Sequence, residues 1–562
     1  MSDDELNPTQ WAGAIALFVL LTVPIAVALA VWCKRRYGLA VTRLQRGAAA
    51  AAPPALRVVA APTQVPLHLE LRDAGADTLP ETLRAGMRLR RRVLAAQFVL
   101  ATAYWWTLLI ALLVALFHLW QVTGGKTDDE GPVNPWGHLV LWPLLLLPPV
   151  LGWAFQAGLR ESRIWAAFGL ALAAMLAGLV ALDSGWVGSL AVIGAGGLIA
   201  FMLTAFMRPA VRGAGPPLVL AILTSLLVLF VLVAIIATLD DGADEPLTTL
   251  DWALGLGAML LMLAVGAAVA WWLLTRMARR YAAKRFSELQ LAHDAYWSLV
   301  TAFALGFVLM LSFEGRTQRS MEWVALALGL VWVVWRLALK LALRWATRRA
   351  VTHGPALLLL RVFKPSQRSE GFADRLLARW RFVGPVWLIA GPDLAGAFME
   401  PDEFFAWLRR RLHERFVADP AQIDERIAAL DNRRDPDGRF RTSELFCADS
   451  TWRDVVLALI GRADVVLLDL REFTPQRAGT HFELVQLLRR APLAKVLVLV
   501  DTRDDLAPLQ AAIHQAWAEA QRPLAAEDPA PSLALLRIGA GSDGELRGLA
   551  QAAARAAALS PR

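Results

Sequence analysis

Two hydrophobic rhythms divide this chain. Up to about residue 345, apolar windows of about 20 residues, the length that crosses a bilayer, recur near 11–33, 94–121, 137–158, 164–183, 187–207, 217–239, 251–275, 295–313 and 322–343. They predict nine membrane-spanning helices. Beyond residue 350 the apolar runs shrink to strand length: "ALLLLRVF" (356–363), "VWLIAG" (386–391), "DVVLLDL" (464–470), "KVLVLVD" (495–501) and "LALLRIG" (533–539). Continuous apolar strands separated by amphipathic segments predict a parallel sheet covered on both faces. Among those segments, "STWRDVVLALIGR" places Trp452, Val455, Val456 and Leu459 on one helical face. "THFELVQLLRR" opens at Thr480 with Glu483 three residues on, the spacing of a capping box.

The expected architecture is a polytopic α-helical membrane domain over 1–350, carrying a cytoplasmic insert at 34–92, followed by an α/β doubly wound domain over 351–562. Within the insert, "GAAAAAPPALRVVAAP" reads as a linker and "VPLHLELRD" as a single strand or hairpin. No chemistry is assigned to it.

Composition agrees with burial in lipid. Of 562 residues, 57% are hydrophobic and 19% charged, against about half and a quarter in soluble domains. Charge then sets sides. Residues 34–92 hold twelve Lys/Arg against four acids, "RPAVRGAGPP" and "RMARRYAAKRFSE" are basic, and "DDGADEPLTTLD" has five acids and no base. With all nine spans, each basic loop falls on one side, which predicts an external N-terminus and a cytoplasmic C-terminal domain. The net charge of +8 is spent beside apolar segments, so no nucleic-acid partner is expected. Within the spans ionisable groups are scarce; Arg336 and Lys340 fit snorkelling side chains near a helix end. An anchor or assembly platform is favoured over a solute pathway.

Several chemistries are excluded by motif. Cys33 and Cys447 are the two cysteines, too far apart in sequence for a CxxC site, and neither a GxxxxGK[ST] nor a GxGxxG phosphate loop nor an HExxH motif occurs. No metal and no bound cofactor are expected.

The run "ADVVLLDLREFTPQRAGTHFELVQLL" followed by "KVLVLVD" resembles the second half of a Toll/interleukin receptor (TIR) domain, and "PALLLLRVFKPSQRSEGFADRLLARW" resembles the first strand and helix of a divergent bacterial TIR-like group. The resemblance covers about 355–505. It implies a flavodoxin-like sheet and, in the catalytic members, cleavage of the nicotinamide–ribose bond of NAD by a glutamate that falls here on Glu483. It further implies NAD as substrate, with Arg361, Phe363, Asp449, Trp452 and Phe482 as candidate substrate contacts, and a homo-oligomeric role in bacterial defence at the inner membrane. The residues also admit plainer roles: Glu483 as a helix cap, Arg361 and Phe363 as strand residues, Asp449 as a helix start and Trp452 as a core anchor. The sequence departs from the family pattern at "RVFKPSQ", which lacks an acid after the first strand, and at 393–444, a charged insertion expected to form solvated helix faces. A non-enzymatic nucleotide-sensing or self-assembling module on a membrane scaffold is the alternative.

Overall fold

The computed structural model describes residues 8–46, 65–73, 79–122, 149–181, 197, 204–239, 249–312, 318–361, 367–390, 399–471, 473, 478–503, 505–523, 530–539 and 541–559. It divides into two units. The first comprises 1–35, 94–345 and 398–406; the second comprises 36–93, 346–397 and 407–562.

The first unit is helical. Its elements are drawn from α1 (Pro8–Arg46), α2 (Glu81–Val122), α3 (Glu161–Ala181), α4 (Gly215–Leu239), α5 (Thr249–Ala282), α6 (Glu288–Ser312) and α7 (Gln318–Thr347). The expectation of nine spans is corrected here. Among the described residues three helices are long and apolar enough to cross a bilayer: 81–111, 260–282 and 326–347. The windows near 137–158 and 187–207 lie largely outside the described residues. At the start of α6, Glu288 and Asp294 are buried, each against an arginine: Arg212 beside Glu288 and Arg336 beside Asp294. The assignment of sides counted all nine crossings, so it loses its premise.

α7 carries two apolar stripes. Trp323, Leu326, Leu330, Val334, Leu337, Leu341 and Trp345 are exposed at spacings of three and four, whereas Leu328, Trp335, Leu339 and Leu343 are buried. One apolar stripe packs against protein, and the other has none against it among the described residues. Arg336 does not snorkel. It pairs with Asp294 of α6 and lies 4.8 Å above the Trp332 ring.

In the second unit, eight described strands form one parallel sheet in the order β1-β8-β7-β6-β2-β3-β5-β4. They are β1 (His68–Asp73), β2 (Leu357–Arg361), β3 (Val386–Ala390), β4 (Phe416–Val417), β5 (Thr442–Cys447), β6 (Val465–Asp469), β7 (Val496–Asp501) and β8 (Ser532–Ile538). The helices are α8 (Gln367–Trp380), α9 (Ile423–Ala428), α10 (Trp452–Arg462), α11 (Ala478–Arg490), α12 (Leu506–Ala520) and α13 (Asp543–Ala558). Alternation along each strand builds two cores. Leu358, Leu360, Val466, Leu468, Val498 and Leu535 face α9 to α12, while Leu357, Leu359, Leu467, Leu499 and Ile538 face α8 and α13. The doubly wound parallel sheet expected from the strand runs is therefore present.

Five strands in the order β3-β2-β6-β7-β8 make the 2-1-3-4-5 arrangement, whose strand order reverses between the first and third strands. That switch point is β2/β6, where Arg361 stands in register with Asp469. The other three strands widen the sheet. β1 comes from the 34–92 insert and pairs along the whole of β8, from His68 opposite Ser532 to Asp73 opposite Arg537. Leu67 and Leu83, on either side of β1 in sequence, are each buried in one of the two cores. At Gly86 of α2 a Cβ would stand 2.9 Å from the Phe382 carbonyl oxygen, so only glycine allows this approach. The insert is thus part of the sheet unit.

The 393–444 insertion is the second addition, and its charges divide: Arg410, Glu414, Asp424, Glu425 and Arg433 are exposed, as expected of solvated faces, whereas those of 435–441 are buried. It contributes β4, α9 and the start of β5 at the far edge. In "RRDPDGRFR" Asp435 is 3% exposed, Asp437 0% and Arg439 2%. Arg441 Nε donates to both Asp435 oxygens at 3.0 and 3.1 Å, Arg439 lies over the Phe382 ring, and Arg434 lies over Phe440 at 4.1 Å. Burial is tolerated because each guanidinium has a carboxylate or a ring face beside it. Desolvation lowers Arg434 to about 10.

Candidate functional site

Open α/β sheets bind ligands outside the carboxyl ends of their strands, at the switch point. At this edge β6 ends in Asp469, and two residues on, Arg471 donates to it twice, at 2.8 and 2.6 Å. The Arg471 guanidinium also lies 3.9 Å above the ring of Phe372 on α8. This buried, two-pronged pair closes the floor of the edge on the α8 side.

On the opposite face, α10 and α11 bring their first turns together there. Phe482 meets Trp452 edge to face, with centroids 5.4 Å apart and planes at 76°. Arg453 lies over both rings, at 5.5 Å from Trp452 and 5.3 Å from Phe482. On α11, His481 reaches the other way and bonds Glu519 of α12 at 2.8 Å. Thr480, Glu483, Leu484, Leu487 and Leu488 make up the buried stripe. At about 100° per residue, Glu483 projects between the direction of Phe482 and the sheet-facing direction of Leu487, hence toward the α10 side.

Glu483 is 3% exposed, and its Oε2 has no hydrogen-bond partner. Burial pushes its carboxyl from 4.5 up to about 8. One turn earlier the Thr480 hydroxyl is buried and also lacks a partner. The capping box expected of this pair does not form, because α11 begins at Ala478 and Thr480 already lies inside the helix. A buried carboxyl without a cap to satisfy is the kind of group that calls for an explanation.

Of the other residues singled out from sequence, Trp452 and Phe482 join this cluster. Asp449 is exposed and contributes its backbone N–H, 3.4 Å from the Gln45 carbonyl oxygen. Arg361 closes β2 at the switch point, and Phe363 lies outside the described residues. Sequence reasoning missed Arg453 and the Asp469–Arg471 pair. The second was legible in principle, since side chains two apart in an extended segment share a side. Arg453 was not, because its partners come from another helix. Among the described residues no group of His, Cys, Asp and Glu could hold a metal ion. Cys447 is buried, its thiol pushed up to about 12 by desolvation, which removes it as a nucleophile.

No protein-family model, no curated protein and no solved structure matches the chain.

Proposed function

We propose that the chain is a membrane-tethered, TIR-like effector whose sheet unit cleaves the nicotinamide–ribose bond of NAD at Glu483. The observation that carries this reading is the Glu483 carboxyl, buried and desolvated, with its Oε2 lacking a hydrogen-bond partner, on the helix that follows β6. Held near its neutral form when the site is empty, it ionises when a cationic nicotinamide ribosyl group lies against it, because an opposite charge favours the carboxylate. The C1′–N bond then breaks with its electron pair leaving on nicotinamide. The carboxylate stabilises the oxocarbenium character that develops, and water adds to C1′ and releases its proton. Low dielectric around Glu483 strengthens that interaction. A homo-oligomer in the bacterial inner membrane, acting in defence or stress signalling, is the setting this reading implies.

The second reading is a nucleotide-sensing or self-assembling module without turnover. It is favoured by the same burial, since a carboxyl uncharged at neutral pH can hold a ligand by donating a hydrogen bond. NAD consumption by full-length protein in lipid separates the two: the first reading expects turnover that Glu483→Gln abolishes, the second expects none.

A further inference from the structure

We propose that Arg453 is the anchor of an anion subsite that takes the phosphates of a nucleotide beside Glu483. This deepens the reading above, since it says where the charged half of the ligand sits. Three observations converge on it. The first is an uncompensated cation: Arg453 is half-buried and its Nε is fully buried without a partner, with no ion pair to any described residue. The rings of Trp452 and Phe482 hold the guanidinium in place, but cation–π contacts offset only part of the cost of desolvating a charge.

The second is an uncapped helix start. Thr451 occupies the N-cap of the eleven-residue α10 and makes no side-chain cap bond. Its hydroxyl donates instead to the Val417 carbonyl oxygen at 2.5 Å. The Trp452 N–H bonds the Ala448 carbonyl oxygen at 3.2 Å, while the N–H groups that follow it in the first turn take no side-chain cap and, with the positive end of the helix dipole, suit an anion. Asp449 and Asp454 flank the position, both exposed, and neither pairs with Arg453. The third is independent of α10: Glu483, the residue next to Phe482, is buried and its Oε2 has no hydrogen-bond partner. A dinucleotide offers both groups what they lack, phosphate oxygens for the guanidinium and sugar hydroxyls for the carboxyl. A guanidinium held flat by rings suits bidentate phosphate recognition.

The test is calorimetric titration of the full-length protein in lipid nanodiscs with ADP and with adenosine. ADP is expected to bind more tightly than adenosine, and Arg453→Gln to weaken ADP about tenfold or more, the loss of one charge-assisted contact, leaving adenosine unchanged. Wild-type ADP binding is expected to weaken steeply with added salt while adenosine binding does not, a readout that needs no variant to fold. Equal affinity for ADP and adenosine, or ADP binding indifferent to both Arg453→Gln and salt, overturns the subsite. Failure of the two ideas is distinguishable. Arg453-dependent ADP binding without NAD cleavage removes the catalytic role of Glu483 and keeps the subsite; Glu483-dependent cleavage with ADP binding indifferent to Arg453 does the reverse.

Discussion

Trp452 and Phe482 meet edge to face across the first turns of α10 and α11, with ring centroids 5.4 Å apart. Nothing in the sequence pairs these two residues, thirty positions apart, yet their contact fixes where Glu483 stands relative to α10. Aromatic pairs of this geometry contribute about 0.5–1.5 kcal/mol beyond the area they bury. A double-mutant cycle with Trp452→Ala and Phe482→Ala is therefore expected to give a coupling energy of about that size by denaturant unfolding. Strict additivity would mean that the rings touch without stabilising the mouth.

The sheet unit should not be separable at residue 351. Without β1, the β8 edge is open to another chain, and the cores lose Leu67 and Leu83. Expressed alone, 352–562 is expected to aggregate, and co-expression of 36–93 to restore a soluble, cooperatively melting complex. In the intact chain, Leu83→Ala should cost about 2–5 kcal/mol. A monomeric, fully stable 352–562 fragment would show β1 to be dispensable.

The buried charges of the 431–441 turn lead to a sharper expectation. Asp435 and Arg441 satisfy each other with both side chains out of water. Removing one partner by Asp435→Ala takes the carboxylate from beside the buried Arg441 guanidinium, at a cost of about 3–5 kcal/mol. Replacing both by apolar residues should recover much of that. Urea unfolding of the single and double variants checks both statements.

Glu483 should leave a signature in the pH dependence of stability. Its folded carboxyl titrates near 8, against 4.5 for the ordinary group. Between those values the folded chain holds a proton that the unfolded chain has released, so its contribution is full below about pH 4.5 and is lost as pH rises through about 8. Glutamine cannot ionise. Relative to wild type, Glu483→Gln is therefore expected to gain stability with rising pH, by on the order of 4 kcal/mol between pH 4.5 and 8. Hydrogen exchange of the α11 amides is a suitable readout, and a pH-independent difference would show that the carboxyl is already ionised in the folded chain.

Much of the sheet unit was legible in the sequence. The apolar runs at 356–363, 386–391, 464–470, 495–501 and 533–539 are β2, β3, β6, β7 and β8, within three residues at either end. Their signal is strong because a strand buried on both faces has no polar position to interrupt it. β1 was legible as a strand in "VPLHLELRD" but not as part of this sheet, and β5 escaped for the opposite reason: Ser443 and Glu444 give it polar positions, as strands near a sheet edge tolerate. Length misled in the helical unit, since an apolar window of twenty residues does not reveal which residues will face protein and which lipid. At the site, Glu483 was visible as a position while its state was not. Thr480 and Glu483 have capping-box spacing, and only the start of α11 at Ala478 shows that neither caps the helix.

If Glu483 cleaves NAD, nicotinamide leaves the protein as a free product. Full-length protein reconstituted in lipid, at a density that permits self-association, is supplied with NAD and free nicotinamide is quantified. Wild type is expected to release nicotinamide and ADP-ribose in equal amounts. Glu483→Gln keeps the size of the side chain and removes the charge, so it should slow release on the order of a hundredfold or more, with the fold intact by circular dichroism. Equal release by wild type and Glu483→Gln, or none by either at any density, would contradict the assignment.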